Sequence, residues 1–594
     1  MAGEVALRQT LTAAMNLSKA GRIGDAIALL SGGANGALGH PVGQNVLGAL
    51  YMQSGKPVQA LASFDVAVRL APAFADAHGN RGVALQKLGR NVEALAAYDA
   101  AVRLEPKHGL TLFNRGNVLK LLGRLDEAVV AFGQALQVQP KLAEAYLNRA
   151  HVQMMRRDYA AALGDFDAAS ALKTGSREAR AGRISALVSL RRFAGALAAA
   201  DEALARDPAD ADIATMRGQI LLDLDRPGEA LAAVDGLSAS GALSAKALIV
   251  RGGALWQLER FEEAIAVAGE GVRLGPNDPQ THQGLAHMSL AMGDFARGWD
   301  ENEYRGDDDP GFTAFDAGAP RWAGEDLAGK TVLVFAEQGL GDTIQFARYA
   351  AMLAERGATV KALVQAPILR LMKSMPVPVD WNSAVSTIGS FDFQIPLLSL
   401  PRVFKTRLDT IPRQLPYLFA DADRVAAWRR ELGPEGFKVG VVWQGNPTYK
   451  NDRRRSVPVE TFAPLAAIPG LRLISLQAIH GFDQLQRLPA GMRVETLGAK
   501  ITDNPEGLDE IAAAVANLDL VVASDTAVAH LAGALGRQVW VALSHDPDWR
   551  WLRGCTDSPW YPTMRLFRQK ARGDWPGVFA EITEALRERA AGRG

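Results

Sequence analysis

The sequence predicts two architectures in one chain: an all-α repeat solenoid, followed by an α/β domain of two Rossmann-like lobes. Three observations predict it. Residues 7–305 repeat with a strict period of 34. A β-branched run, Thr331 to Phe335, meets the turn Gln338-Gly339-Leu340-Gly341, and Asp342 then opens a helix, the way a βαβ unit begins. From Lys438 the same strand and glycine-turn pattern starts afresh, KVGVVWQGNP. These readings place the solenoid at 1–305, a linker at 306–330, a short first lobe at 331–422 and a second lobe at 423–594.

The period is legible at several positions at once. Pro72, Pro106 and Pro140 keep it, and it resumes at Pro208 and Pro276. Gly48, Gly82 and Gly116 keep the same step, and Ala60 through Ala264 hold it over seven units without a miss. Phe64, Tyr98, Phe132 and Phe166 follow the first four of those alanines by four residues. Small residues at a crossing and a proline closing each unit resemble the tetratricopeptide repeat, two antiparallel helices per unit. Each pair buries its apolar face only against its neighbours, so the product is a solenoid.

Two polar ladders run through the repeats. Asn80, Asn114 and Asn148 share one repeat position on first helices, which line the groove in this family. An amide carries donors and an acceptor, so these three either clamp the backbone of an extended protein acceptor or bond to adjacent turns. Their spacing resembles the asparagine ladder of eukaryotic O-GlcNAc transferase, where the groove holds protein substrate. Arg81, Arg115, Arg149, Arg183, Arg217 and Arg251 run beside Asp65, Asp99, Asp167, Asp201 and Asp235. Opposite charges at one repeat offset predict inter-repeat ion pairs, which set register more than they stabilise.

Composition bounds the function. The 594 residues exceed one core, and 65 basic residues balance 65 acidic ones, so no global field favours nucleic acid or an anionic membrane. One cysteine, Cys555, excludes an internal disulfide framework and fits a reducing compartment. The first sixteen residues lack a secretory apolar core, and no uncharged run reaches the roughly 20 residues that span a bilayer. The expectation is a soluble cytoplasmic protein. At the junction, Asp307-Asp308-Asp309 precedes Pro310 in a loop, where a solvated linker is the better reading than a metal site.

In the α/β half, chemistry gathers at predicted strand ends. Ser524-Asp525-Thr526-Ala527 turns from a buried strand into a helix carrying His530 one turn in. Free amides, the positive helix end and small residues make such a turn an anion site; the alternative is a plain Asp525 cap and a packed histidine. Trp443-Gln444-Gly445-Asn446 follows a strand, with Lys450 and Arg453 to Arg455 beyond it, placed to neutralise a leaving diphosphate. Candidate donor-binding residues are therefore Gln338, Gly339, Gly341, Trp443, Gln444, Gly445, Asn446, Arg453, Gln477, Ser524, Asp525, Thr526 and Ala527.

The combination AEQGLGDTIQFARYA, VWQGN, SDTAVAHLAGALG and DWRW resembles the bacterial family that joins tetratricopeptide repeats to a glycosyltransferase domain. That domain is similar to the lipopolysaccharide heptosyltransferases of the two-lobed GT-B fold. The resemblance implies a metal-independent protein O-glycosyltransferase with no cofactor beyond its nucleotide-sugar co-substrate. It implies Asp342 as general base on the acceptor hydroxyl, Lys450 as the lysine steadying donor phosphate, and Ser524 to Ala527 with His530 as the donor-phosphate turn. Alphaproteobacterial members modify flagellin, which makes flagellin the expected acceptor and a CMP-activated nonulosonic acid, such as pseudaminic acid, the expected donor. UDP-GlcNAc as donor, a glycan acceptor, and a non-catalytic repeat scaffold are the alternatives. One departure is the short first lobe, against which the last repeat helices, around Trp299 and Tyr304, are expected to pack.

Overall fold

The computed structural model describes residues 2–591 apart from 33–35, 174, 240–242, 306–317, 450, 479, 503 and 505. The predicted linker core, with its acidic triplet, lies outside the described residues. Two compact units, Met1–Ala242 and Leu243–Gly594, make up the chain. The division falls inside the repeat array, ahead of its last two helix pairs.

The first unit is a run of antiparallel helix pairs, such as Ala75–Lys87 with Asn91–Leu104 and Gly109–Leu121 with Leu125–Val138. Glycine on the first helix faces an aromatic ring on the second. A Cβ at Gly82 would stand 2.6 Å from the Tyr98 ring, and one at Gly116 2.7 Å from the Phe132 ring. Both rings are fully buried. Gly116→Ala should therefore cost about 1–3 kcal/mol through overpacking, read as a lower urea midpoint of the first transition. An unchanged midpoint would mean that the helix pair opens at no cost.

Within each pair the turn needs one left-handed residue. Gly55, Gly89 and Gly123 supply it with φ of 71°, 73° and 72°, and Arg157, Arg191, Asp225 and Glu259 take the same position at 57–62°. The predicted ion pairs form between successive units: Arg81–Asp65 at 2.6 Å, Arg115–Asp99 at 2.6 Å, Arg183–Asp167 at 2.7 Å and Arg217–Asp201 at 2.6 Å. Arg149 turns forward to Asp165 at 2.7 Å, because the position sixteen residues back is Gly133.

The second unit opens with four repeat helices, Ala245–Gln257, Phe261–Leu274, α1 (Pro279–Ala291) and Phe295–Asn302. They are bound to the α/β domain by contacts that sequence periodicity does not flag. The Trp256 indole donates to Asp546 at 2.7 Å, and the Arg553 amide donates to the Ala291 carbonyl at 3.1 Å. Trp299 donates to the Thr406 carbonyl at 3.1 Å and meets Phe346, Trp549 and Trp560 edge-on. Tyr304 stacks on His282 at 3.5 Å. Trp299 thus joins the last repeat to Phe346 of the short first lobe and to Trp549 and Trp560 of the second, whereas Tyr304, expected against the first lobe, stacks within the repeats.

Two all-parallel sheets follow. The first holds β1 (Thr331–Phe335), β2 (Thr359–Leu363), β3 (Val379–Asn382) and β4 (Phe393–Pro396) in the order β3-β2-β1-β4. The second holds β5 (Phe437–Val442), β6 (Leu471–Ser475), β7 (Glu495–Thr496), β8 (Leu520–Ser524), β9 (Val539–Leu543) and β10 (Met564–Arg568), ordered β10-β9-β8-β5-β6-β7. β1 lies between β2 and β4, and β5 between β6 and β8, so the winding direction reverses at both. Ligands of open parallel sheets bind outside the strand C-termini at such reversals. Helix α2 (Leu340–Phe346) leaves β1, and α3 (Ala527–Ala534) leaves β8.

Candidate active site

The C-terminal ends of β1, β5, β6, β8 and β9 open on one cleft of about 930 Å³. Gln338, Gly339, Gly341 and Asp342 enter it from the first lobe. Gln444, Gly445, Asn446, Gln477, Asp525, Thr526, Ala527 and His530 enter it from the second. Segments far apart in the chain thus meet in one space, as the strand-end reading expects.

The cleft centres on an arginine that sequence reading left out of the site. Arg550 is buried and ion-pairs with both Asp548, at 2.8 Å, and Asp342. Its guanidinium also lies 4.3 Å over the Trp549 ring. The second Asp342 oxygen accepts from the Gly339 amide at 2.9 Å. Burial raises the Asp342 carboxyl above its ordinary range, against the pull of Arg550, and Asp548 adds to the rise. Burial acts on Asp548 too, but Arg550 and His287 outweigh it and hold this carboxyl low. Asp525 is pushed up to about 6 by burial and then by Asp548, with Arg455 opposing.

That shift has a stability consequence. Asp525 is raised in the folded chain, so its contribution is fully present below the unfolded value and is lost as pH rises through about 6. Asp525→Asn should accordingly stabilise the protein at pH 7.5 by on the order of 1–3 kcal/mol and change little at pH 4. Thermal unfolding at the two pH values checks it. Equal shifts at both would show that Asp525 is not the titrating group.

His530 is 5 % exposed, stacks on Trp551 at 5.3 Å, and its Nδ1 lies 3.1 Å from the Tyr561 hydroxyl. Burial and then Arg550 lower its pKa to about 3. It is therefore a neutral imidazole at physiological pH, and any contact with an anion is a hydrogen bond rather than a charge.

Other predicted residues have different roles. Gly341 lines the cleft and also packs closely where α2 crosses α3: a Cβ there would stand 3.1 Å from the His530 ring and 3.4 Å from the Ala527 Cα. Trp443 is fully buried in the second-lobe core and donates its indole N–H to the Gly481 carbonyl at 3.0 Å, so it is a core residue and not a cleft contact. Gln477 reaches the cleft, but its amide is spent locally. Its oxygen accepts from the Trp443 and Gln444 amides at 3.2 Å, and its nitrogen donates to the Gln444 and His480 carbonyls at 2.8 and 2.6 Å. Ser524 is wholly buried beneath the turn and does not line the cleft.

Of the basic run, Arg454 and Arg455 line the cleft and Arg453 does not. Arg455 is held by Asp452 at 3.2 Å and lies 4.6 Å over the Tyr449 ring, above Gly445, whose missing side chain makes room for it. Lys450 lies outside the described residues. Asn80 donates to Asn45 at 3.0 Å and Asn148 to Asn117 at 2.8 Å, so part of the ladder links the first helices of successive units. These asparagines belong to the first unit. Among the described residues no three His, Cys, Asp or Glu side chains are grouped to hold a metal, and no helix is long and apolar enough to cross a membrane.

Comparison with known proteins bears mainly on the repeats. Residues 116–155 match a TPR repeat model, and residues 45–109, 182–239 and 215–279 match a tetratricopeptide repeat model. The N-terminal part of the chain is a tetratricopeptide-repeat solenoid and the C-terminal part an α/β domain. Protein FlbA of Caulobacter vibrioides is 27% identical over 341 residues, covering 52% of this chain and 54% of FlbA. The chain thus spans about half the length of that curated relative. Among solved structures, a tetratricopeptide repeat protein from Parabacteroides merdae is 20% identical, covers 41% of this chain and 97% of its own, and has a TM-score of 0.33. Pseudomonas aeruginosa pilF is 19% identical, covers 41% and 94% respectively, and has a TM-score of 0.29.

Proposed function

We propose that the chain is a protein O-glycosyltransferase that moves a sugar from a nucleotide-activated donor to a serine or threonine hydroxyl of a repeat-bound protein. The observation that carries this reading is the convergence of both winding reversals on one cleft, with Asp342 on one side and the Asp525 turn on the other. The acceptor hydroxyl attacks the anomeric carbon, and the bond from that carbon to the nucleotide phosphate breaks with its electron pair left on the phosphate. Asp342 takes the hydroxyl proton. A carboxylate raised by burial is a better base than an ordinary one. Arg454, Arg455 and the amides opening α3 face the departing phosphate.

The repeats support a protein partner. A flagellar acceptor and a CMP-nonulosonic acid donor rest on the sequence resemblance, with which the partial likeness to FlbA is in keeping. The alternative is a non-catalytic repeat scaffold. It is favoured by one observation: both Asp342 oxygens are already engaged, by Arg550 and the Gly339 amide. Incubating the chain with flagellin and either CMP-nonulosonic acid or UDP-GlcNAc, followed by mass spectrometry of the flagellin, separates the two. A sugar-sized mass increment supports transfer and identifies the donor. No increment with either donor, together with no thermal stabilisation by either, leaves the scaffold.

A further inference from the structure

One wall of the cleft comes from a repeat helix and not from the α/β domain. Gln283, Ala286, His287 and Leu290 of α1 line it, and their steps of three and four residues put them on one helical face. Ala286 and Leu290 give that face an apolar floor, and the amide and imidazole stand on it. Among the described residues neither Gln283 nor His287 has a hydrogen-bond partner. His287 sits edge-on to Trp256 at 6.5 Å, near enough to Asp548 to help hold its carboxyl low. The wall is also fixed in place. Asp278 caps α1 through the Gln280 amide at 3.0 Å, the Ala291 carbonyl is bound by the Arg553 amide, and Trp256 is tied to Asp546.

The two sides of the cleft therefore differ in kind. Arg454 and Arg455 make the second-lobe side cationic, as a phosphate needs. The α1 side offers one amide and one imidazole above apolar side chains, hydrogen-bonding groups that suit a polypeptide backbone. His287 also stands five 34-residue steps after Asn117 and four after His151. Asn117 already accepts a hydrogen bond at this repeat position, from Asn148.

Resting on the glycosyltransferase reading, we propose that Gln283 and His287 of α1 form the acceptor subsite, holding the backbone of a hydroxyl-bearing polypeptide segment so that its serine or threonine faces Asp342. The segment would lie along α1 with its side chain turned into the cleft, opposite the arginines that face the donor. The repeat array would then supply part of the reaction centre itself, besides binding the protein elsewhere.

Steady-state kinetics with flagellin and the donor identified above test the subsite. Gln283→Ala and His287→Ala should each raise KM for flagellin about tenfold, the loss of one backbone hydrogen bond of about 1.4 kcal/mol. KM for the nucleotide sugar should move far less, and His287→Asn should recover part of the acceptor KM by restoring an amide. Circular dichroism and thermal unfolding of each variant establish that it is folded. Photocrosslinking from benzoylphenylalanine at position 283 gives a second readout, expected as a flagellin adduct. Wild-type acceptor KM in both alanine variants, or donor KM rising as much as acceptor KM, overturns the subsite while leaving the transferase reading in place. A wild-type chain that transfers no sugar overturns that reading, and the subsite with it.

Discussion

Asp342→Asn is expected to lower kcat by about 10²–10⁴-fold, the range spanned by positioned general bases. The amide keeps the Asp342 shape and can still accept from the Gly339 N–H, now at 2.9 Å, so the start of α2 should hold. It cannot take a proton from the acceptor hydroxyl. The wild-type rate should also carry an acid limb. A base works only when ionised, and burial raises this carboxyl, so activity should fall on acidification at a pH above the ordinary carboxylate range. The limb should vanish in the variant, whose residual rate comes from orientation and charge around the donor. A second consequence separates base from scaffold. The variant removes a charge that burial disfavours, so its melting temperature should not drop in step with its activity. Wild-type kcat in Asp342→Asn would remove the residue from the mechanism.

Asp342 was legible because its signal is local: a β-branched run, two glycines and an acid at a helix start. The same holds for the Asp525 turn and for the repeat crossings, where Gly82 meets Tyr98 and Gly116 meets Phe132. Local pattern also misassigned residues in a consistent direction. Trp443 and Ser524 follow or end buried strands, and the period-2 alternation of a strand sends neighbours to opposite sides. Which side meets the cleft depends on the other lobe, which the strand's own sequence does not encode. Gly341 lines the cleft as expected of a donor-binding candidate, and it also packs against His530 and Ala527, nearly two hundred residues later. The arginine run gave the right charge but the wrong member: Arg454 and Arg455 line the cleft, and Arg453 does not. The missed residues are those whose role arises only in three dimensions. His287 sits in a repeat helix with no chemical motif around it. Arg550 sits in DWRW, which stood out as part of a resemblance but offered no reason to expect three carboxylates around its guanidinium.

Those carboxylates make Arg550→Ala the substitution with the largest expected structural effect. Arg550 is 8 % exposed, and the charges of Asp548, Asp342 and Asp525 act on it in that order, against the cost of burial. Removing one partner of a buried ion pair leaves the others uncompensated, which typically costs about 3–5 kcal/mol. The sign with pH follows from the same charges. Without Arg550 the Asp342 and Asp525 carboxyls rise further above their unfolded values, and Asp548 loses the charge that holds it low. The contribution of the raised groups is therefore present at low pH and lost as pH climbs through their raised values. The defect should therefore be small near pH 4 and greatest above pH 7. The charge explanation makes a further demand. Asp548→Asn, harmful in the wild type because it strips Arg550 of its 2.8 Å partner, should become stabilising in the Arg550→Ala background. Additive losses in the double variant would show that Arg550 acts through its packing on Trp549 and Phe346, not through the carboxylates it gathers.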